Sequence, residues 1–520
     1  MNRTIARASS CCCLVLTLAA CGSQESKGGG SGGSPSSGGS APTGGVSGAS
    51  GTSGQSTGGS GGSAGSGVSG TAGAATGGTS GTDAGGSGGS ATGGSGTGGV
   101  MGGSGGSDSG LGGSGAAGGS PPLGGAGGSG GAGTAGAGGP GGAAVTGLPA
   151  KSAVLDALRR ANTYFVGRWP DPTIDIVTDR ARPSNLWTRA VYYEGLMGLY
   201  AIEPDTTRKT SYYDYAVRWG ASSGHPWQVA YGDPNSVDAD YQACGQTYID
   251  LYLVEQQAVR IAQIQASIDH MISTNNTTAW TWIDAIQMSM PVFAKLGALT
   301  GDAKYYNAMW GLYANSRDTQ GGGLLNDANG LWWRDADYNP GGTYTRSPNM
   351  SDIYWSRGNG WVMAALVRVL DAIPANETHR ATYLADFRAM AATLIPLQRS
   401  DGFWNESLTN PMHCQSVGKT GQDGPETSGT ALFAYGMAWG IRKGVLDAAT
   451  YGPIVVKAWN GLAQTALQSN GMLGWVQSTG AEPCDPDDTT GLGATVRPNF
   501  DDYGVGCFLL AGSAVYGLAP

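Results

Sequence analysis

Two aspartates sit where proton chemistry is conceivable. Asp240 lies in Asp238-Ala-Asp240-Tyr-Gln-Ala-Cys-Gly-Gln246-Thr-Tyr248, which opens one amphipathic segment. Asp284 lies in Trp280-Thr-Trp282-Ile-Asp284-Ala-Ile-Gln-Met288, which opens another. A carboxylate at a helix start commonly caps the helix or faces its dipole, and both effects keep it ionised. Asp284, however, stands between Trp280 and Trp282 and beside an apolar face of Ile283, Ile286, Met290 and Phe293. Burial against aromatic rings raises a carboxyl pKa, and a second carboxylate nearby raises it further. An aspartate in that setting stays protonated and can serve as a general acid. Spacing alone does not say whether Asp240 and Asp284 meet.

The longest connection between apolar-periodic segments, Gly321 to Asn359, carries Trp332, Trp333, Arg334, Asp335, Tyr338, Tyr344, Tyr354, Trp355 and Arg357. A connection that long in a compact domain is usually functional. Exposed Trp and Tyr beside Arg and Asp suit a sugar, whose C–H faces stack on aromatic rings while its hydroxyls and carboxylates take charged partners. Asp335 is a third candidate site carboxylate, with a solvated loop position as its commoner alternative. Metal and nucleophile signatures fail: His225, His270, His379 and His413 lack ligand spacing, and no HExxH or CxxC pattern occurs. A net charge of −9 gives no basic footprint for nucleic acid. An acidic protein still binds an anionic sugar through a local Arg or Lys.

The elements that position these residues come from the last 70% or so of the chain, about 370 residues and enough for one large core. Periodicity near 3.6 recurs in twelve segments, from Ser152–Phe165 through Leu186–Ile202, Tyr241–Val254, Ile283–Leu299 and Gly360–Ile373 to Thr427–Arg442 and Gly504–Val515. Breakers such as Gly224-His225-Pro226 and Asn339-Pro340-Gly341-Gly342 separate them. Strand-like alternation is nearly absent. Some segments, notably Gly429–Trp439, are apolar or small almost all round, as a helix covered on both sides must be. The expected fold is therefore all-α, a barrel of six helical hairpins with inner and outer rings.

Residues 1–21 have the pattern of a bacterial lipoprotein signal. Arg3 and Arg7 precede a short apolar run, and Leu18-Ala19-Ala20-Cys21 resembles the lipobox in which the Cys thiol is acylated. The apolar run is too short for a permanent membrane span. Residues 22–147 are almost entirely Gly, Ser, Ala and Thr, without the apolar side chains that offset the entropy of ordering. They are expected to be disordered and to tether the domain of residues 148–520 on the order of 60 Å from the membrane. The expected location is a bacterial membrane, the outer membrane or cell surface, with Cys21 as lipid anchor. Of the domain's cysteines, Cys414 and Cys484 lie in polar loops and are the expected disulfide, while Cys244 and Cys507 read as small core residues.

Several strings, taken in order, resemble glycoside hydrolase family 105, the unsaturated rhamnogalacturonyl hydrolases. They are Asp240–Tyr248, Trp282-Ile-Asp284-Ala with Met288 and Pro291, Trp355-Ser-Arg357-Gly-Asn359-Gly-Trp361, Glu426-Thr-Ser-Gly-Thr430 and Asp502-Tyr503-Gly-Val-Gly506. The resemblance covers essentially all of residues 148–520. It implies an (α/α)6 barrel acting, without metal or cofactor, on oligosaccharides ending in a 4,5-unsaturated uronate, as lyases leave in pectin. It assigns Asp284 as the acid that protonates C4 and Asp240 as its partner carboxylate. Trp355, Arg357, Trp361 and Met288 match substrate-lining positions, with Arg357 a carboxylate clamp and Trp a stacking surface. Some members have a His where this chain has Trp333-Arg334-Asp335, so that either Arg334 replaces that contact or the subsite differs. A glucuronyl hydrolase acting on glycosaminoglycan fragments and an inactive sugar-binding lipoprotein are the alternatives.

Overall fold

The computed structural model describes residues 144–177, 181–344, 347, 350–416, 424–480 and 501–520. The signal, Cys21, nearly all of the expected linker and Cys484 lie outside the described residues. Twelve long helices carry the domain: α1 (Lys151–Arg168), α2 (Trp187–Ile202), α3 (Thr206–Gly220), α5 (Cys244–Val254), α6 (Val259–Ser273), α7 (Asp284–Thr300), α8 (Ala303–Asp318), α9 (Ser356–Ala372), α10 (Arg380–Leu397), α12 (Thr427–Arg442), α13 (Ala448–Asn460) and α14 (Asp501–Tyr516). Two one-turn helices, α4 (Ala239–Gln242) and α11 (His413–Ser416), sit in the connections. Three two-residue hairpins are the strands: β1 (Ile176–Val177) with β2 (Ala181–Arg182), β3 (Leu325–Asn326) with β4 (Leu331–Trp332), and β5 (Trp404–Asn405) with β6 (Pro425–Glu426).

Helices α2, α5, α7, α9, α12 and α14 pack each on the next and close into a ring, α14 returning to α2. Each has an outer partner, in order α3, α6, α8, α10, α13 and, for α14, the N-terminal α1. This is the (α/α)6 barrel. The inner helices are buried on almost every side, Gly429–Trp439 of α12 among them save Tyr435. Closure is tight where the chain's ends meet: a methyl on Gly195 of α2 would lie 2.3 Å from the carbonyl of Gly506 on α14. The buried pair Arg189–Asp502, 3.0 Å apart, joins the same two helices. Packing begins slightly ahead of Leu148, since Val145 is buried and donates its N–H to Leu518.

Two boundaries differ from the sequence reading, and both bear on the site. The segment expected as one helix from Tyr241 is split, with Asp240 in the one-turn α4, capped by Asp238, whose carboxylate accepts the Asp240 N–H at 2.9 Å. Helix α9 begins at Ser356, four residues before the expected Gly360, so Arg357 and Asn359 are helical rather than loop residues. The glycines of this first turn permit close contact: a Cβ on Gly358 would meet Trp355 and Ile283 within 3.0 Å, and one on Gly360 would meet Leu432. Cys414 is disulfide-bonded, and Cys244 and Cys507 are free and buried.

Candidate active site

Asp284 is the first residue of α7, and Asp240 occupies the neighbouring α4, which packs on α7. The connection after β4 lies against the entry to α7. Trp282 bridges Asp335, and the Ile283 N–H donates to the Arg334 carbonyl at 2.9 Å. Asn359 fixes that connection from α9: its side-chain oxygen accepts the Trp332 N–H at 2.8 Å and its amide donates to the Trp332 carbonyl at 3.0 Å. Arg334 is thereby delivered to the carboxylates. Its Nε lies 3.8 Å from Asp284 Oδ2, and its Nη1 donates to Asp335.

Asp238, Asp240, Arg334, Asp335 and Asp337 line a cavity of about 490 Å³ together with Thr281, Trp282, Gln320 and Ala336. Asp284 is not on its wall. It is only 8% exposed and lies behind Arg334. Burial pushes the Asp284 carboxyl up, against the opposing charges of Arg334 and Arg357. Asp240 is pushed up to about 8, by burial first and then by Asp238 and Asp284, with Arg334 opposing. Desolvation raises both carboxyls and the charge of Asp284 adds to the rise at Asp240, so Asp240 keeps its proton near neutral pH and Asp284 is held toward its protonated form. Asp284 Oδ2 and Arg334 Nε, both buried, face each other at 3.8 Å as an ion pair without a hydrogen bond.

The motif residues of α9 are placed differently from expectation. Arg357 is fully buried, donates to the carbonyls of Gln477 at 3.0 Å and Ser478 at 2.7 Å, and stacks on Trp355 and Tyr503. The carboxylate clamp expected of it is not formed in this geometry. Its terminal nitrogens hold the 477–478 segment, and it acts on Asp284 through its charge. Trp355 caps α9 and donates Nε1–H to Gln477 Oε1 at 2.7 Å. Trp361 is fully buried, edge-on to Trp187, and Met288 is fully buried one turn beyond Asp284. Trp333 is buried and stacked on Tyr354, off the cavity wall. The aromatic loop expected to be exposed is mostly core, because Trp332, Trp333, Tyr338, Tyr354 and Trp355 all pack inward and Tyr344 alone of the loop's aromatic residues is more than half exposed.

Sequence reasoning missed Gln477 and the function of Glu426. Glu426 is fully buried and caps α12, accepting from the N–H groups of Ser428 and Gly429, and it also accepts the Gln477 N–H at 3.2 Å. Gln477 in turn takes Trp355, Arg357 and the Tyr503 hydroxyl. The Glu426-Thr-Ser pattern carried the cap signal, but no local pattern announces Gln477, whose partners lie far away in sequence.

A helical barrel thus presents two carboxyls held toward the protonated form, Asp240 on a cavity edged by Trp282 and Asp284 beside Arg334. Residues 158–519 match Glycosyl Hydrolase Family 88, and the chain belongs to that family. An unsaturated 3S-rhamnoglycuronyl hydrolase of Formosa agariphila is 34% identical over 247 residues, 47% of this chain and 59% of that protein. The chain thus spans little more than half the length of that relative. The solved structure of a family 88 glycosyl hydrolase from Bacteroides vulgatus is 30% identical with a TM-score of 0.59, covering 71% of this chain and 99% of that one. A possible family 105 member from Salmonella enterica shares the fold at 18% identity and a TM-score of 0.53, over 71% of this chain and 94% of its own.

The Asp240 setting has a consequence for stability. Between the ordinary carboxyl range and about pH 8 the folded protein keeps a proton that the unfolded chain has lost. This contribution to stability is fully present at low pH and disappears as pH rises through about 8. Asp240→Asn removes it, so urea unfolding should find the variant gaining on the wild type steadily from about pH 5 to about pH 8. A stability difference that stays constant over that range would contradict the burial of Asp240.

Proposed function

We propose that this protein removes a terminal 4,5-unsaturated galacturonyl residue from lyase-generated rhamnogalacturonan or pectin oligosaccharides by hydrating the double bond. The observation that carries the reading is the pair Asp240 and Asp284, both held toward the protonated form around Arg334, Asp240 on the cavity wall and Asp284 buried on the other side of that guanidinium. An enol ether needs a proton at carbon, so its catalyst must keep an acid loaded at neutral pH. Family membership and the unsaturated rhamnoglycuronyl hydrolase named in Formosa support the same chemistry.

In this mechanism Asp284 gives its proton to C4 and the C4–C5 double bond is lost. Water adds its oxygen to the resulting cation at C5 and gives a proton back to the Asp284 carboxylate, which resets the acid. The product at C5 is a hemiketal. Its ring opens, and the hemiacetal left at C1 expels the aglycone as an alcohol. Asp240 hydrogen-bonds the sugar and keeps the Asp284 proton in place, while Arg334 faces the uronate carboxylate.

The reading extends to the N-terminus as a lipoprotein: residues 1–21 are its signal, Cys21 its acylation site and residues 22–147 its tether to the outer membrane or cell surface. Fractionation tests this directly, because Cys21→Ala should move the protein from the membrane to the soluble fraction, and a variant that stays membrane-bound would contradict the anchor. The activity is tested by following the ultraviolet absorbance of the conjugated alkene in an unsaturated rhamnogalacturonan disaccharide. The wild type should abolish the signal, and Asp284→Asn should slow its loss roughly 10²–10⁴-fold. Persistence of the signal with every unsaturated uronide would end the hydration reading, and a fully active Asp284→Asn would end the assignment of the acid.

A further inference from the structure

Asp238, Asp240, Asp335, Asp337 and Gln320 supply the carboxyl and carboxamide groups of the cavity wall. All but two of them have structural work. Asp238 caps α4, Asp335 holds Arg334 and accepts the Asp337 N–H, and the Asp337 carboxylate accepts the Thr343 hydroxyl at 3.2 Å. The side chains of Asp240 and Gln320 make no hydrogen bond among the described residues. Asp240 is the partner of the acid, which leaves the Gln320 carboxamide without a task in the fold or in the proton transfer. Its position is nonetheless closely specified. Gln320 begins the tight turn Gln320–Gly322 after α8, and Gly321, Gly322 and Gly323 take φ of +59°, +100° and +101°, which glycine adopts without steric resistance. The turn is pressed onto the connection that carries Arg334. Asn339 donates its side-chain N–H to the Gly321 carbonyl, and a Cβ on Gly321 would lie 2.5 Å from that of Ala336, itself a wall residue.

The chemistry of the substrate says which part of it meets this wall. C1 and C4 lie at opposite corners of a pyranose ring. With C4 at Asp284 and the uronate carboxylate at Arg334, the bond from C1 to the leaving sugar points away from Asp284. The cavity lies on the other side of the Arg334 guanidinium from Asp284, and its volume of about 490 Å³ suffices for a sugar ring. A carboxamide both donates and accepts, so it meets a sugar hydroxyl in either sense. Unlike the ionised carboxylates beside it, it also donates to a ring, bridging or ester oxygen that carries no hydrogen. We propose that Gln320 is a specificity-determining residue that hydrogen-bonds the leaving sugar in this cavity, an inference that rests on the hydrolytic reading above.

The test uses the full chain and two substrates, the unsaturated rhamnogalacturonan disaccharide and the methyl glycoside of the same uronate. The methyl glycoside has the reacting ring but no second sugar. In Gln320→Ala the ratio of kcat/KM on the disaccharide to that on the methyl glycoside should fall about five-fold, chiefly through KM, the size of one neutral hydrogen bond. Gln320→Leu keeps the bulk of the side chain without its polar atoms and should lower the ratio as far. An unchanged ratio in Gln320→Ala, whether both substrates slow equally or neither does, overturns the contact with the leaving sugar. A wild-type ratio in Gln320→Leu makes the contact one of packing and overturns the hydrogen bond. If the wild type turns over neither glycoside, the hydrolytic reading fails instead. Calorimetric binding of the intact disaccharide to wild type and Gln320→Ala then decides the role of Gln320, a five-fold weaker affinity supporting it and an equal affinity overturning it.

Discussion

Arg334 reaches Asp284 at 3.8 Å, pairs with Asp335 and opposes the upward shifts of both Asp240 and Asp284, so one guanidinium bears on both acids. Burial alone would keep the acids neutral and unable to cycle, and solvent alone would keep them ionised and unable to donate. The site works between those limits because a fixed positive charge offsets part of the desolvation. Fixing it takes much of the neighbouring chain. The Trp282–Asp335 bridge, the Ile283 N–H on the Arg334 carbonyl and the two hydrogen bonds from Asn359 to Trp332 all hold the Arg334 backbone against α7. The long connection from α8 to α9 is thus a support, with its aromatic rings turned inward as packing.

A second set of buried polar joints fixes the inner helices relative to one another. Glu426 on β6 holds Gln477, and Gln477 holds Trp355, Arg357 and Tyr503, which ties α12, α9 and α14 together beside the site. Deeper in the ring, Glu194 of α2 accepts from Gln287 of α7, and Arg368 of α9 lies between Glu194 and Asp250 of α5. Burial pushes Glu194 up to about 7 and Lys295 down to about 8. An apolar face can pack at several rotations, but a buried donor tolerates few acceptors and costs stability when it loses one. Because Gln287 lies one turn from Asp284 on α7, the deeper joint also sets the direction in which Asp284 points.

The sequence carried the fold well, since twelve amphipathic or all-apolar segments without strand alternation leave few architectures, and the inner ring is made of the segments that are apolar all round. Asp284 stood out locally as an acid among aromatic and aliphatic neighbours at a helix start and Asp240 as a carboxylate opening another segment, and the fold brings both to Arg334. What was not legible depends on contacts distant in sequence. The glycines at 358 and 360 allow close contacts with Ile283 and Leu432, partners that lie on other elements. The Trp and Tyr residues of residues 321–359 have an amphipathic role in either a cleft or a core, and only the packing of the loop on α7 and α9 decides for the core. Arg357 has a guanidinium suited to a carboxylate, but the carbonyls of Gln477 and Ser478, 120 residues away, take it. Asp335, left between site and solvent by its sequence, lies on the cavity wall and anchors Arg334.

The central claim is that a buried aspartic acid delivers a proton to an alkene carbon. Turnover of the unsaturated disaccharide in heavy water, followed by nuclear magnetic resonance of the released sugar, observes that delivery directly. Proton transfer from a single carboxyl on one face predicts one deuteron at C4, placed with a single stereochemistry. A product released with its double bond intact and no deuterium at C4 would mean attack at the anomeric carbon and would contradict the account.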